Sequence, residues 1–307
     1  MITSIFRKSK PVNLIIVFFL IGLACSIFTF NSAKHSFSSA SVVQMLLCLG
    51  ISFFSVLILN FVSSKNNLTK HNSFEIVLYG FFLLLIPQTT GSISVMLSNV
   101  FLLFSLRRMI SLRSQKSVLK KLFDTSFWIA IATLFHPWAI LFFILLPMAV
   151  LLYTENKLRN WLVPLTAIIA VLLIAYCVCF FIDFDLMGYY FNGFQVSFDF
   201  TNYNTTPFLI ATTLLFSFGL WSSLFYIRSI REKKKSLRPA FNLVMITVVI
   251  SFLIVILSPN KQGSEFLFMY APLAIIVSNY IEVINEKWFR EVFLSILVLM
   301  PFFLLML

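Results

Sequence analysis

The residues with the most chemical potential lie in one polar stretch, Asp183–Thr206, reading DFDLMGYYFNGFQVSFDFTNYNTT. It sets three carboxylates among eight aromatic side chains and holds no basic residue. Neighbouring carboxylates can serve as general acid and base, and aromatic rings offer apolar faces on which a sugar or lipid headgroup can stack. Asp183, Asp185 and Asp199 are therefore the candidate catalytic residues. The same pattern also fits an interfacial segment, because Tyr and Phe favour the headgroup layer of a membrane. A second group is Ser258-Pro259-Asn260-Lys261-Gln262-Gly263-Ser264-Glu265. On a helix, Lys261 and Glu265 would share a face as an ion pair, and Lys261 could hold a phosphate or carboxylate. A plain cap with a surface ion pair explains the same residues. The third feature is His136-Pro137-Trp138, in which the imidazole could shuttle a proton or Pro137 could simply end a helix and turn the chain. Lys261, Glu265 and His136 are the candidate substrate-binding residues. Nothing has the spacing of a metal-ligand cluster, a phosphate-cradling glycine loop or a serine–histidine nucleophile, so no metal and no cofactor are expected.

The elements that must position these residues are membrane helices. Of 307 residues, 60% are hydrophobic and 11% charged, with a mean hydropathy of +0.97. Soluble domains carry about a quarter charged residues, so this chain has too little polar surface to coat a water-soluble body. A crossing needs ~20 apolar residues. Clear spans run over Val12–Phe30, Ser41–Val62, Trp161–Ile182, Pro207–Ile227, Pro239–Leu257, Phe266–Ile281 and Glu291–Leu307. Two longer stretches are interrupted, Phe74–Leu106 by Pro87-Gln88-Thr89-Thr90-Gly91 and Thr125–Tyr153 by His136-Pro137-Trp138. Each is either a pair of short crossings or a re-entrant hairpin. The expectation is an all-α polytopic bundle forming a single domain over 1–307, with eleven crossings, or seven if both hairpins are re-entrant.

The charge map orients it. The net charge of +12 would suggest nucleic acid as a partner in a soluble chain; in a membrane protein it reflects the enrichment of cytoplasmic loops in Lys and Arg. With the N-terminus inside, 21 of the 23 basic residues fall on the cytoplasmic side and only Lys34 and Lys261 on the other. The C-terminus is then periplasmic, Asp183–Thr206 is the main periplasmic loop, and the basic clusters face anionic headgroups. Nucleic acid is not an expected partner; membrane lipids are, with other membrane subunits as a further possibility. Glu75, Asp124, Glu282 and Glu291 sit at span ends near the cytoplasmic interface. The scarcity of mid-span charge argues against an ion-coupled carrier, though not against a lipid-handling protein. Cys25, Cys48, Cys177 and Cys179 all lie inside apolar runs and read as small buried apolar residues.

Phe6-Arg7-Lys8-Ser9-Lys10-Pro11, Ser105-Leu106-Arg107-Arg108, Leu122-Phe123-Asp124-Thr125-Ser126-Phe127-Trp128 and Glu265-Phe266-Leu267-Phe268-Met269-Tyr270-Ala271-Pro272 together resemble an uncharacterised family of polytopic inner-membrane proteins of Bacteroidota. More distantly, the paired short helices around Arg107–Tyr153 are similar to the core of C-type polytopic glycosyltransferases, which use lipid-linked sugars and carry catalytic acidic residues in the first translocated loop. Here that loop, Asn31–Ala40, has no Asp or Glu, so Asp183 or Asp185 would have to substitute. The family brings no activity with it; the reading preferred here is an inner-membrane protein of cell-envelope biogenesis, in its finer form a diverged glycosyltransferase-like protein handling lipid-linked substrates. A non-catalytic scaffold and a transporter of a lipid or uncharged substrate, with Gln44, Asn60, Asn99 and Asn279 along its path, are the alternatives.

Overall fold

The computed structural model of the protein describes residues 2–33, 39–154, 157–259 and 261–305. Lys34, the centre of the Asn31–Ala40 loop and Asn260 lie outside the described residues. Thirteen α-helices follow one another among those described, with no strand: α1 (Ile2–Phe6), α2 (Pro11–Ala33), α3 (Ser39–Asn66), α4 (Phe74–Leu85), α5 (Ile93–Ser111), α6 (Val118–Phe135), α7 (Leu145–Tyr153), α8 (Leu158–Phe181), α9 (Leu186–Gly193), α10 (Thr206–Glu232), α11 (Arg238–Leu257), α12 (Leu267–Val283) and α13 (Lys287–Leu304). Seven helical stretches are long and apolar enough to cross a membrane: Pro11–Ser32, Ser39–Asn66, Ile93–Ser114, Leu158–Phe181, Thr206–Glu232, Arg238–Leu257 and Ser264–Val283.

Both interrupted stretches resolve into a helix, a 3-10 turn at the proline and a second helix. In the first, Pro87–Thr90 joins α4 to α5. Proline removes a backbone donor, and Thr89 and Thr90 hydrogen-bond the carbonyls of Ile86 and Pro87, each at 2.8 Å. The turn is thus satisfied without water. In the second, Pro137–Ile144 joins α6 to α7, with His136 extended at the break.

The chain folds as two compact units. Unit 1 comprises residues 1–96, 199–232 and 261–307. At its centre α4 packs on α12, with α2, α3 and α13 around α4 and α10 against α12. Every residue of α4 is buried, and an edge-to-face pair of Tyr79 and Tyr270, ring centroids 6.2 Å apart, locks it to α12. A helix that is apolar all round belongs inside a bundle or a membrane; here the neighbours of α4 are protein. Glu75, expected at a span end beside the interface, is instead fully enclosed (0% exposed).

Unit 2 comprises residues 97–198 and 233–260. Its main contact is between α6 and α8, and the Pro137–Ile144 turn rests on α6, α7, α9 and α11. Phe101 stacks on Trp128 and on Phe135, with centroids 5.7 and 5.6 Å apart. Ser98 donates to the Ala132 carbonyl at 2.9 Å, and Arg108 pairs with Asp124 at 3.0 Å. By contrast α8 presents Leu162, Leu165, Ile169, Leu173 and Ile174 outward, an apolar surface suited to lipid. Cys25 and Cys48 are buried as expected, whereas Cys177 is exposed and Cys179 half-exposed on this helix; all four thiols are free.

Candidate functional site

Asp183–Thr206 is shared between the units, Asp183 and Asp185 belonging to unit 2 and Asp199 to unit 1. In unit 2, Asp183 sits at φ +51, a turn conformation that Asp tolerates better than most residues. Asp185 follows as the N-cap of α9 and accepts the Gly188 amide at 2.9 Å, satisfying one of the orphan donors at a helix start. A Cβ on Gly188 would lie 2.2 Å from the Asp185 carboxylate, so a larger residue there would make the capping carboxylate shift. Both aspartates are exposed and line a shallow recess of about 360 Å³ with Tyr176, Cys179 and Met187. Helix α9 leans on the His136-Pro137 turn. The Tyr189 hydroxyl donates to the Phe135 carbonyl at 3.1 Å, Gly193 abuts Pro137, and Trp138 meets Phe194 edge-on at 6.2 Å. His136 is half-buried at this break, in extended backbone just ahead of Pro137.

In unit 1 the second group does not form the helix that an i, i+4 ion pair requires. Gly263 takes φ +92, a left-handed value that ends any helical run through it. The Glu265 carboxylate turns back onto this turn, accepting the Gly263 amide at 2.9 Å, the Gln262 amide at 3.4 Å and the Tyr203 hydroxyl at 3.2 Å. Glu265 and Lys261 are each only 2% exposed. The Lys261 ammonium lies 4.9 Å from the Phe200 ring centroid, a cation–π distance. Desolvation pulls Lys261 below the ordinary lysine range and the negative charge of Glu265 pushes it back up. Tyr203 stacks on Phe208 at 4.6 Å and meets Phe266 edge-on at 5.8 Å; burial first, then Glu265, raise its hydroxyl above the usual tyrosine value. Asp199 is exposed and accepts the Thr201 amide at 3.0 Å, which holds its carboxyl below the usual carboxylate range. It shapes the turn that delivers Tyr203.

This clamp adjoins a cavity of about 580 Å³ whose wall includes Phe30, Leu84 and Phe208 and whose polar groups are Asn31, Gln88 and Thr205. The Gly263 turn closes on two of these: a Cβ there would lie 3.0 Å from the Phe208 ring and 3.1 Å from Gln88. The structure therefore joins Lys261 and Glu265 through one turn and adds Tyr203, Gly263 and Gln88, which the sequence did not single out. Tyr203 was hidden among eight aromatic residues, and Gln88 read only as part of a helix break. Among the described residues no group of three or more His, Cys, Asp or Glu side chains could hold a metal ion. Of the polar residues considered for a transport path, Asn279 hydrogen-bonds the Leu68 and Ile275 carbonyls at 2.8 and 2.9 Å, a helix-tethering use.

The long apolar helices define a multi-pass membrane protein. The chain belongs to the family described as "Family of unknown function (DUF6427)", which matches it over residues 2–306. No curated protein and no solved structure matches it.

Proposed function

We propose that this is an integral inner-membrane protein of cell-envelope biogenesis that binds an amphiphilic, lipid-type substrate at the periplasmic membrane face. The observation that carries the reading is the cavity of about 580 Å³, with its apolar wall and uncharged amide and hydroxyl groups. Its volume falls in the ~300–1,000 Å³ range of small-molecule sites. An apolar wall with Asn31, Gln88 and Thr205 suits a lipid whose chain lies against Phe30 and Leu84 and whose polar head meets amides. The clamp of Tyr203, Lys261 and Glu265 keeps the turn beside this cavity in one conformation, as a preorganised site requires. The inside-positive charge distribution supports the periplasmic placement. The carboxylates of Asp185 and Asp199 already serve a cap and a turn.

The test is native mass spectrometry of the full chain purified in detergent, compared with a variant carrying Asn31→Trp and Thr205→Trp to fill the cavity. The wild-type protein is expected to retain a defined lipid through mild activation, with occupancy falling about tenfold in the variant, equivalent to ~1.4 kcal/mol. A wild-type protein that releases all lipid with the detergent, or equal occupancy in the two proteins, overturns the reading.

A further inference from the structure

At the end of unit 1 away from the Pro87–Thr90 turn, the connection from α3 to α4 is tied to α12. Glu282, half-exposed near the end of α12, accepts the Lys70 amide at 2.8 Å and the Asn72 side-chain amide at 2.6 Å. Asn72 in turn accepts the Phe74 amide at 3.2 Å, and Asn13 donates to the Ser73 hydroxyl at 2.9 Å. These donors are directed at Glu282, at backbone and at one another. Glu75 lies one residue beyond Phe74, fully buried, and neither of its carboxyl oxygens makes a hydrogen bond of normal geometry. The Thr69 side chain and the Glu282 carboxylate are the groups that act on it electrostatically.

An ionised carboxylate out of water needs strong donors or a cation; no cation acts on Glu75, and its donors are the amide at its own helix start and the Thr69 hydroxyl. A neutral acid tolerates the site, and the adjacent negative charge of Glu282 favours that form further. The start of α4 works the other way, since a helix N-terminus favours an anion. These opposed influences leave the group able to change state. The charged groups at this end are Glu282 on α12, Lys65 on α3, Lys287, Arg290 and Glu291 on α13, with Arg7, Lys8 and Lys10 ahead of α2 and Lys70 and His71 in the connection. Of these, Glu282 is the one whose charge acts on Glu75, and Glu291 is held by Thr3. A buried ionisable residue in a membrane bundle is costly and is kept where it handles an ion.

We propose that Glu75 is a proton-binding site of this protein, with half-exposed Glu282 as its electrostatic partner. The proton is held on the Glu75 carboxyl when the pair carries one negative charge. Its release adds a second negative charge within electrostatic reach of Glu282, and the repulsion loosens the hold of Glu282 on Lys70 and Asn72. This site is independent of the lipid cavity, and neither reading rests on the other.

The experiment is infrared spectroscopy of the full-length protein in lipid nanodiscs, titrated between about pH 5 and pH 10 so as to bracket shifted carboxyl values. The difference between wild type and Glu75→Gln should show the carbonyl stretch of a protonated carboxylic acid at neutral pH, fading as pH rises. Glu282→Gln removes the neighbouring charge while leaving Glu75 in place, and should move the fading to lower pH by about one unit, a tenfold change in proton affinity. Should Glu75→Gln not fold, the same band and its displacement in Glu282→Gln decide the matter. A Glu75 band absent at every pH, or one that Glu282→Gln leaves unmoved, overturns the proposal.

Discussion

Unit 1 buries two glutamates, and they differ in everything but burial. Glu265 accepts from two backbone amides and a tyrosine hydroxyl and has Lys261 as a nearby countercharge. Glu75 has only the amide at its own helix start and the Thr69 hydroxyl as weak donors, no countercharge, and a second carboxylate as its electrostatic neighbour. Depth alone therefore does not say what a buried carboxyl is for. The donors around it do: a fully served carboxylate fixes a turn, and a weakly served one is free to trade its proton.

Substitutions separate the two most sharply. Glu265→Leu leaves a buried lysine without its countercharge and three donors without an acceptor, a break of the kind that costs ~3–5 kcal/mol; thermal unfolding in detergent should show a large fall in Tm. Tyr203→Phe keeps the ring stack on Phe208 and removes one donor to a charged acceptor, for about 1.5–3 kcal/mol. Its unfolding should also lose a pH dependence. Because the folded protein holds the Tyr203 hydroxyl above its ordinary value, the stabilisation is complete below about pH 10 and declines above it; Tyr203→Phe should be flatter in that alkaline window. Gly263→Ala must fit a Cβ 3.0 Å from Phe208 at φ +92, at about 1–3 kcal/mol. Asp185→Ala removes a helix cap in the other unit, for ~1 kcal/mol, and should leave the Glu265 clamp unchanged by hydrogen exchange. Smallest of all is Glu75→Gln, a neutral isostere of the protonated acid, with under about 1 kcal/mol expected because no hydrogen bond of normal geometry is lost. If Glu75→Gln destabilised the protein as much as Glu265→Leu, the contrast between the two glutamates would fail.

Much of the architecture was legible because a run of about 20 apolar residues is a long signal that local detail rarely masks. Val12–Phe30 and Ser41–Val62 lie within observed helices, and Trp161–Ile182 overruns α8 by one residue. Glu291–Leu307 falls on α13 as far as Leu304, the helix starting earlier, at Lys287, with Lys287, Arg290 and Glu291 near its start. Which apolar helix is covered by protein was not read from the sequence, although the two spans differ in mean hydropathy, 1.6 for the α12 span and 2.7 for α8. In the folded chain 89% of the α12 span is buried against 22% for α8. The site was legible in part. Lys261 and Glu265 share one constellation, but the spacing rule that linked them assumed a helix that Gly263 forbids. Asp183, Asp185 and Asp199 looked alike in sequence, whereas in the structure two of them support local backbone. Tyr203 and Glu75 gave no pattern at all, because their importance comes from partners more than sixty positions away, present for one and lacking for the other.

The short central helix has one more consequence. Helix α4 has 12 residues and packs beside α2, which has 23; at 1.5 Å per residue these are about 18 and 34 Å long. A bilayer that thickens or thins acts on the helices it touches, through tilt and mismatch at their ends. Because α4 is covered on every side by protein, neither of its ends meets lipid. The longer helices around it absorb changes in bilayer thickness, while α4, the Pro87–Thr90 turn and the cavity wall it supplies keep their dimensions. One protein can then present the same inner geometry in membranes of different composition.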